Sequence, residues 1–228
     1  MDGKFVTERA TVARAAREME RLDLVSGSSG NVSVRIGGEG LMAITPMGVP
    51  YAGMDESDIV VVDRDLEPVE GDLPPSSESL LHLDIYARRK DVAAVVHTHS
   101  VFSSVAAVIG REIPPILDEM VVYIGGGIRV SDYAFPGTQE LAQNVCEALE
   151  ERSAALIRNH GAVGVGSTVE EALRVCALVE RVAKIHTYAA MSGRVDILPS
   201  AVIEREQAVY RMKRDAASVD IGRGSAGP

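Results

Sequence analysis

Apolar residues recur along this chain with two periods, and the switches between them set the expected elements. Val12, Ala16 and Met19 share one stripe with charges between them, which predicts a first helix over 7–21. The turn-rich Ser26-Gly27-Ser28-Ser29-Gly30 ends it, and Asn31-Val32-Ser33-Val34-Arg35-Ile36 then alternates with the period of a strand. Gly37-Gly38-Glu39-Gly40 marks a hairpin to a strand over 41–45, and a further strand over 59–63 ends in a tight reversal over 63–67. Pro74-Pro75-Ser76-Ser77-Glu78 opens a helix to about Arg89, and the apolar run Val92–Val96 predicts the next strand. A short buried helix is expected over 101–109 and another from Gly137-Thr138 to about Glu151. Strands follow over 154–159 and 163–166. Thr168 and Glu171 have capping-box spacing at the start of a long helix to about Met191. A last helix runs from Ser200 to about Arg214. Residues 1–215 are expected to form one domain, and the small, polar residues 216–228 a flexible tail.

Hairpins in the first third, with only partial alternation of strands and helices afterwards, favour a mixed, largely antiparallel sheet covered by helices over a doubly wound parallel fold. No dinucleotide or Walker-type glycine signature, internal repeat or dividing linker is present.

Composition narrows the function classes. The net charge of −10 over 228 residues disfavours nucleic acid, whose phosphates demand a basic face. It leaves room for an anionic small molecule, because neutral backbone and hydroxyl donors can hold a phosphate. No apolar stretch approaches the ~18 residues of a membrane span, and residues 1–4 lack a signal-peptide core, so a cytoplasmic protein without a membrane partner is expected. Cys146 and Cys176 are isolated within helical patterns and read as buried thiols rather than a bridge.

The chemistry concentrates at His97-Thr98-His99, at the end of the predicted strand. Alternate side chains of a strand share a face about 7 Å apart, so these two imidazoles can converge on one cation. His160, in Arg158-Asn159-His160-Gly161, again follows an apolar run. Three histidines with an open position suit a catalytic zinc-type site. The plain alternative is a pair of polar residues where a strand leaves the core. Glu78, near a cation and an anionic substrate, could act as a general base; alternatively it complements a helix dipole behind an N-cap at Ser76 or Ser77. Ser28-Ser29-Gly30-Asn31, Thr45-Pro46-Met47-Gly48 and Ser76-Ser77 could form a neutral phosphate cradle, against a reading as ordinary turns. His82 and His186 lie inside helices and read as surface or interface residues. Lys90 and Lys184 read as solvated helix ends, and Gly125-Gly126-Gly127 as a tight turn.

Taken in order, Ser29-Gly30-Asn31-Val32-Ser33, Ile44-Thr45-Pro46-x-Gly48, Pro75-Ser76-Ser77-Glu78, Val95-Val96-His97-Thr98-His99 and Asn159-His160-Gly161 resemble the class II aldolase and adducin-head family, in its L-fuculose-1-phosphate aldolase branch. The resemblance spans residues 7–192. It implies a three-layer α/β/α domain around a largely antiparallel sheet, assembled as a cyclic homotetramer with active sites at subunit boundaries. It implies Zn2+ held by His97, His99 and His160, with Mn2+, Co2+ or Fe2+ as alternatives. Glu78 would be the acid/base, and Ser28, Gly30, Asn31, Gly48, Ser76 and Ser77 would bind the substrate phosphate. The implied reaction is reversible cleavage of a ketose 1-phosphate, fuculose-like or a 5-deoxy- or methylthiopentulose 1-phosphate, to dihydroxyacetone phosphate and an aldehyde. A sugar-phosphate 4-epimerase and a 3-oxo-acid phosphate decarboxylase share the same site; an adducin-like, non-catalytic interaction module is the reading from another class. Two departures stand out. Met47 replaces the family's usual hydroxyl residue before Gly48, and Asp118 falls at or near a tyrosine that the fuculose enzyme supplies from a neighbouring subunit. Asp118, Glu119, Tyr123 or Tyr210 is then the candidate proton donor to the aldehyde oxygen.

Overall fold

The computed structural model describes residues 4–37 and 40–224. The described residues form seven strands in one sheet of order β4-β3-β2-β1-β5-β7-β6. These are β1 (Asn31–Ile36), β2 (Leu41–Ile44), β3 (Val60–Val62), β4 (Pro68–Glu70), β5 (Ala94–Thr98), β6 (Ala154–Ile157) and β7 (Gly161–Gly166). Every ladder between them is antiparallel. The parallel component of the expected mixed sheet is one isolated bridge, Val130 to Leu156.

The period-2 pattern divides the core between the two faces of the sheet. Val32, Val34, Ala43, Val61, Ala94 and Val96 pack against α1 (Val6–Arg21) and the start of α6 (Val169–Met191). Met42, Ile44, Val60, Val62, Val95, Val163 and Val165 pack against α2 (Ser79–Arg88) and α5 (Gln139–Leu149). A third cluster joins α3 (Val101–Ile109), α4 (Asp118–Ile124) and α6 over Leu156 and Ala162, with Ile203 of α7 (Ser200–Gly224) packed against it. The result is the three-layer α/β/α arrangement with β1, β5 and β7 at its centre. Asn31 lies opposite His97 on one side, and Val163 on the other.

Four elements differ from expectation. The seven residues of α4, which Asp118-Glu119 begins, are too few to show a helical period, and no element was expected there. β4 is three residues on the sheet edge, without an alternating pattern. β7 starts at Gly161, because the turn after β6 needs only 158–160. α7 continues ten residues past Arg214, since Ala216 and Ala217 favour helix and no breaker precedes Gly222. Residues 225–228 of the expected tail, the 38–39 tip of the β1–β2 turn, and residues 1–3 lie outside the described residues. Cys146 and Cys176 are both free and buried. Among the described residues, no helix is long and apolar enough to cross a membrane.

Candidate active site

His97 is the fourth residue of β5, on the face that meets α2, and is fully buried. His99 follows two residues on, as period 2 requires. His160 comes from the β6–β7 turn, where Asn159 takes a left-handed φ of 56° that asparagine tolerates. Two glycines allow the strands to close. Gly30 has φ 74°, and a side chain there would lie 2.5 Å from the His97 carbonyl oxygen. A side chain on Gly161 would meet the Thr98 carbonyl at 2.2 Å and His99 at 3.2 Å.

The three imidazoles converge. Their ring centroids lie 4.7, 4.8 and 4.7 Å apart, at steep interplanar angles. The Nε2 atoms of His97 and His99 are 2.9 Å apart. His97 Nδ1 donates to the Ala162 carbonyl at 2.9 Å, which leaves its Nε2 lone pair facing the centre. Glu78 closes the cluster, with Oε2 3.1 Å from His97 Nε2 and Oε1 3.6 Å from His160 Nε2. All four ligand atoms lie within 4.8 Å of one another. Glu78 Oε1 and His160 Nδ1 are buried with no hydrogen-bond partner.

These residues fit a divalent cation. Three tetrahedral bonds of about 2.0–2.1 Å set their nitrogens roughly 3.3 Å apart, and here the His97 and His99 Nε2 atoms stand 2.9 Å apart with all four ligand atoms within 4.8 Å. Burial raises the Glu78 carboxyl, but His97, His160 and the Asn31 amide outweigh it and hold the group well below the usual carboxylate range. Burial likewise pulls His97 down, and the adjacent carboxylate more than reverses this. His99 is lowered to about 3 by burial and by its neighbouring imidazoles.

Glu78 sits at the N-cap of α2, one residue before the helix that the sequence placed it in. Its own N–H donates to Ser76 Oγ at 3.3 Å. The expected phosphate segments also meet here. Ser76 N–H donates to the Thr45 carbonyl at 3.1 Å and Met47 N–H to the Pro74 carbonyl at 2.9 Å. Tyr51 OH donates to the Gly30 carbonyl at 2.5 Å. Ser28, Met47, Gly48 and Ser77 are exposed, Gly30 is half-buried, and Ser76 is buried.

Asn31, expected among the phosphate donors, commits its side chain inward. Its Nδ2 donates to Glu78 Oε2 at 3.0 Å, and its Oδ1 lies 2.5 Å from His82 Nε2. His82 itself is fully buried. The surface or interface reading is corrected: α2 turns this position onto β1, where Asn31 and Ser33 receive the ring. The missed signal was a polar pair two apart on a strand and another, His82 and Tyr86, four apart on a helix. His186 is half-buried on α6.

The four candidate proton donors are not hydrogen-bonded to this cluster among the described residues. Asp118 interacts with Glu206, and Glu119 pairs with Arg181 at 2.9 Å. Tyr123 and Tyr210 share a cleft with Asp91 and Gly166. Gly166 pairs with Ala94, four residues from the Thr98 end of β5, so these tyrosines lie at the opposite end of the sheet.

The class II aldolase and adducin N-terminal domain family matches residues 10–187. A 5-methylthioribulose-1-phosphate/5-deoxyribulose-1-phosphate aldolase from Rhodospirillum rubrum is 37% identical over 219 residues, covering 96% of this chain and 98% of that protein. An L-fuculose phosphate aldolase from Escherichia coli is 39% identical over 182 residues, 79% of this chain and 83% of its own length. A solved structure of an L-fuculose 1-phosphate aldolase superposes with a TM-score of 0.86 at 34% identity, covering 93% of this chain and 98% of that one.

Proposed function

The chain belongs to the class II aldolase and adducin N-terminal domain family and is an aldolase, and we propose that it reversibly cleaves a ketose 1-phosphate to dihydroxyacetone phosphate and an aldehyde. The observation that carries this reading is the convergence of His97, His99 and His160 beside a buried carboxylate. We assign the substrate class as a 5-deoxy- or 5-methylthiopentulose 1-phosphate, supported by the near full-length match to the Rhodospirillum rubrum relative. His97, His99 and His160 hold zinc; Mn2+, Co2+ or Fe2+ suit the same donors. The bound cation supplies Lewis-acid polarisation of the substrate carbonyl and neighbouring hydroxyl oxygens.

Glu78 moves the proton. In cleavage the C4 hydroxyl proton leaves through the group that serves the aldehyde oxygen, the C3–C4 bond breaks as the aldehyde forms, and C3 takes a proton that Glu78 has drawn from solvent. In the reverse direction the Glu78 carboxylate removes that proton from the hydroxymethyl carbon of dihydroxyacetone phosphate. His97, His160 and Asn31 hold its carboxyl below the usual carboxylate range, so it starts that step ionised. Ser28, Gly30, Gly48, Ser76 and Ser77 cradle the phosphate, with Asn31 at the base of the same pocket. Asp118 or Tyr123 serves the aldehyde oxygen from a neighbouring subunit of a cytoplasmic homotetramer.

Dihydroxyacetone phosphate in D2O tests the first half of the reaction. One hydroxymethyl hydrogen is expected to exchange; chelation abolishes the exchange and zinc restores it. A panel of 5-deoxyribulose, 5-methylthioribulose and fuculose 1-phosphates, read by released dihydroxyacetone phosphate, then ranks the sugars. An epimer or carbon dioxide in place of an aldehyde assigns the site to the sister chemistries. If zinc-loaded protein shows no exchange and no cleavage, the reading is overturned.

A further inference from the structure

Behind Glu78 runs a chain of buried hydrogen bonds that the reaction above does not use. Tyr86 OH lies 2.7 Å from Ser33 Oγ, and Ser33 Oγ lies 2.6 Å from His82 Nδ1. His82 Nε2 lies 2.5 Å from Asn31 Oδ1, and Asn31 Nδ2 lies 3.0 Å from Glu78 Oε2. All five residues are buried. The neighbouring inward positions of α2 are Leu81 and Ile85, so packing alone places no demand for an imidazole here.

The direction of every bond follows from the last. A carboxylate only accepts, so Asn31 must present its NH2 to Glu78 and its oxygen to His82. His82 Nε2 must then carry a hydrogen and donate it. Burial and the charge of His97 hold His82 down at about 3, so the ring is neutral and Nδ1 accepts from Ser33. Ser33 in turn accepts from Tyr86. Donors therefore point toward Glu78 along the whole chain, and successive bonds polarise one another in a dry interior.

We infer that His82 is a positioning residue: fixed in its Nε2–H form by Ser33, it orients the Asn31 amide so that Glu78 Oε2 is anchored and Oε1 is left to carry the proton. This rests on the reading of Glu78 as the base. Oε2 is held by the Asn31 amide, whereas Oε1 is buried with no hydrogen-bond partner. A carboxylate free to rotate would exchange its two oxygens and lose that division.

Two measurements on the full-length, zinc-loaded protein test it. Imidazole 15N spectroscopy is expected to find His82 with hydrogen on Nε2 alone; an Nδ1–H tautomer or an imidazolium overturns the inference. In deuterium exchange into dihydroxyacetone phosphate, His82→Leu is expected to lower kcat about 10- to 100-fold, the scale of a misplaced catalytic group. KM is expected to stay within about threefold and zinc content to be unchanged, and His82→Gln, which retains a donor near Nε2, recovers most of kcat. A kcat for His82→Leu within twofold of the parent, a loss that tracks zinc content, or a Gln variant no better than Leu overturns it. If His82→Leu does not fold, Ser33→Ala carries the same test, with a smaller fall in kcat alone expected and an unchanged kcat overturning the inference. Should Glu78→Gln still exchange, the base reading fails and this inference with it; should Glu78→Gln abolish exchange while His82→Leu leaves it intact, only the inference fails.

Discussion

Just before β5, Arg89 and Asp91 form a partly buried ion pair in which every guanidinium nitrogen has a partner, whereas at the far end of the same strand Glu78 faces three imidazoles and keeps one oxygen unbonded. Arg89 meets Asp91 through two bonds of 2.8 and 2.6 Å and gives its third nitrogen to the carbonyls of Glu150 and Arg152. Glu78 Oε1 and His160 Nδ1 have no such closure. The first arrangement is complete within the protein and serves to tie α2 to the α5–β6 connection. The second holds ionisable groups together with coordination capacity left over. Unsatisfied buried polar atoms are costly, and Glu78 Oε1, Thr98 Oγ1 and His160 Nδ1 lie together at this end of β5, where the fold gives up stability for chemistry.

Changing the open end first has the largest expected effect. Glu78→Gln is expected to lower deuterium exchange into dihydroxyacetone phosphate by about 1000-fold, within the range for loss of a general base. Zinc content measured on the same sample stays near that of the parent. A loss under tenfold with metal retained removes Glu78 from the proton step. His99→Ala acts differently, because it removes a ligand: zinc is lost on dialysis, activity falls with it, and the thermal stabilisation that added zinc gives the parent disappears. If His99→Ala binds zinc as tightly as the parent, the three-histidine site is wrong.

Changing the closed end is expected to do the reverse. Arg89→Ala leaves Asp91 without its partner and costs about 3 kcal/mol in urea unfolding, the scale for breaking a buried pair. Turnover per folded molecule and zinc content stay as in the parent. The sign of the pH effect also follows. Burial raises Asp91, but Arg89 more than offsets this and holds it below its ordinary value of 3.8. A depressed carboxyl contributes stability above its unfolded pKa and loses it as pH falls through the folded value. The stability gap between Asp91→Asn and the parent is therefore expected at pH 7 and closes below about pH 4. A gap independent of pH places the effect in packing.

The two ends were not equally readable in the sequence. His97, His99 and His160 are distinctive because an imidazole just after an apolar run is chemically conspicuous, and strand periodicity alone brings the first two together. The alternation of β1 was equally plain, but alternation alone does not say what its polar positions meet. Asn31 and Ser33 in fact point at α2 and are buried with His82, since β1 is a central strand covered on both sides. Which face of a strand meets water depends on its neighbours in the sheet, and that order is a property of the whole chain. α4 fell below the length at which a period can be detected. The convergence of Ser28–Asn31, Thr45–Gly48 and Pro75–Glu78 was suggested by their shared chemistry and by the family resemblance; the backbone hydrogen bonds that join the last two link residues about 30 positions apart.

The smallest expected effect comes from the lip of the site. Met47 is 54% exposed beside the exposed Gly48 and Ser77, so its side chain has room to change without disturbing the core. Its N–H is already used on the Pro74 carbonyl, which fixes the turn whatever side chain stands there. Met47→Thr adds one neutral hydroxyl where the proposed phosphate sits, and a single such hydrogen bond is worth about 0.5–1.5 kcal/mol. A fall in KM for dihydroxyacetone phosphate of about two- to tenfold is expected by the same relation, with kcat and thermal stability unchanged. Because the hydroxyl can act only on a group that reaches the turn, dihydroxyacetone itself, lacking the phosphate, should show no gain. Equal gains for both compounds move the phosphate away from the Thr45–Gly48 turn.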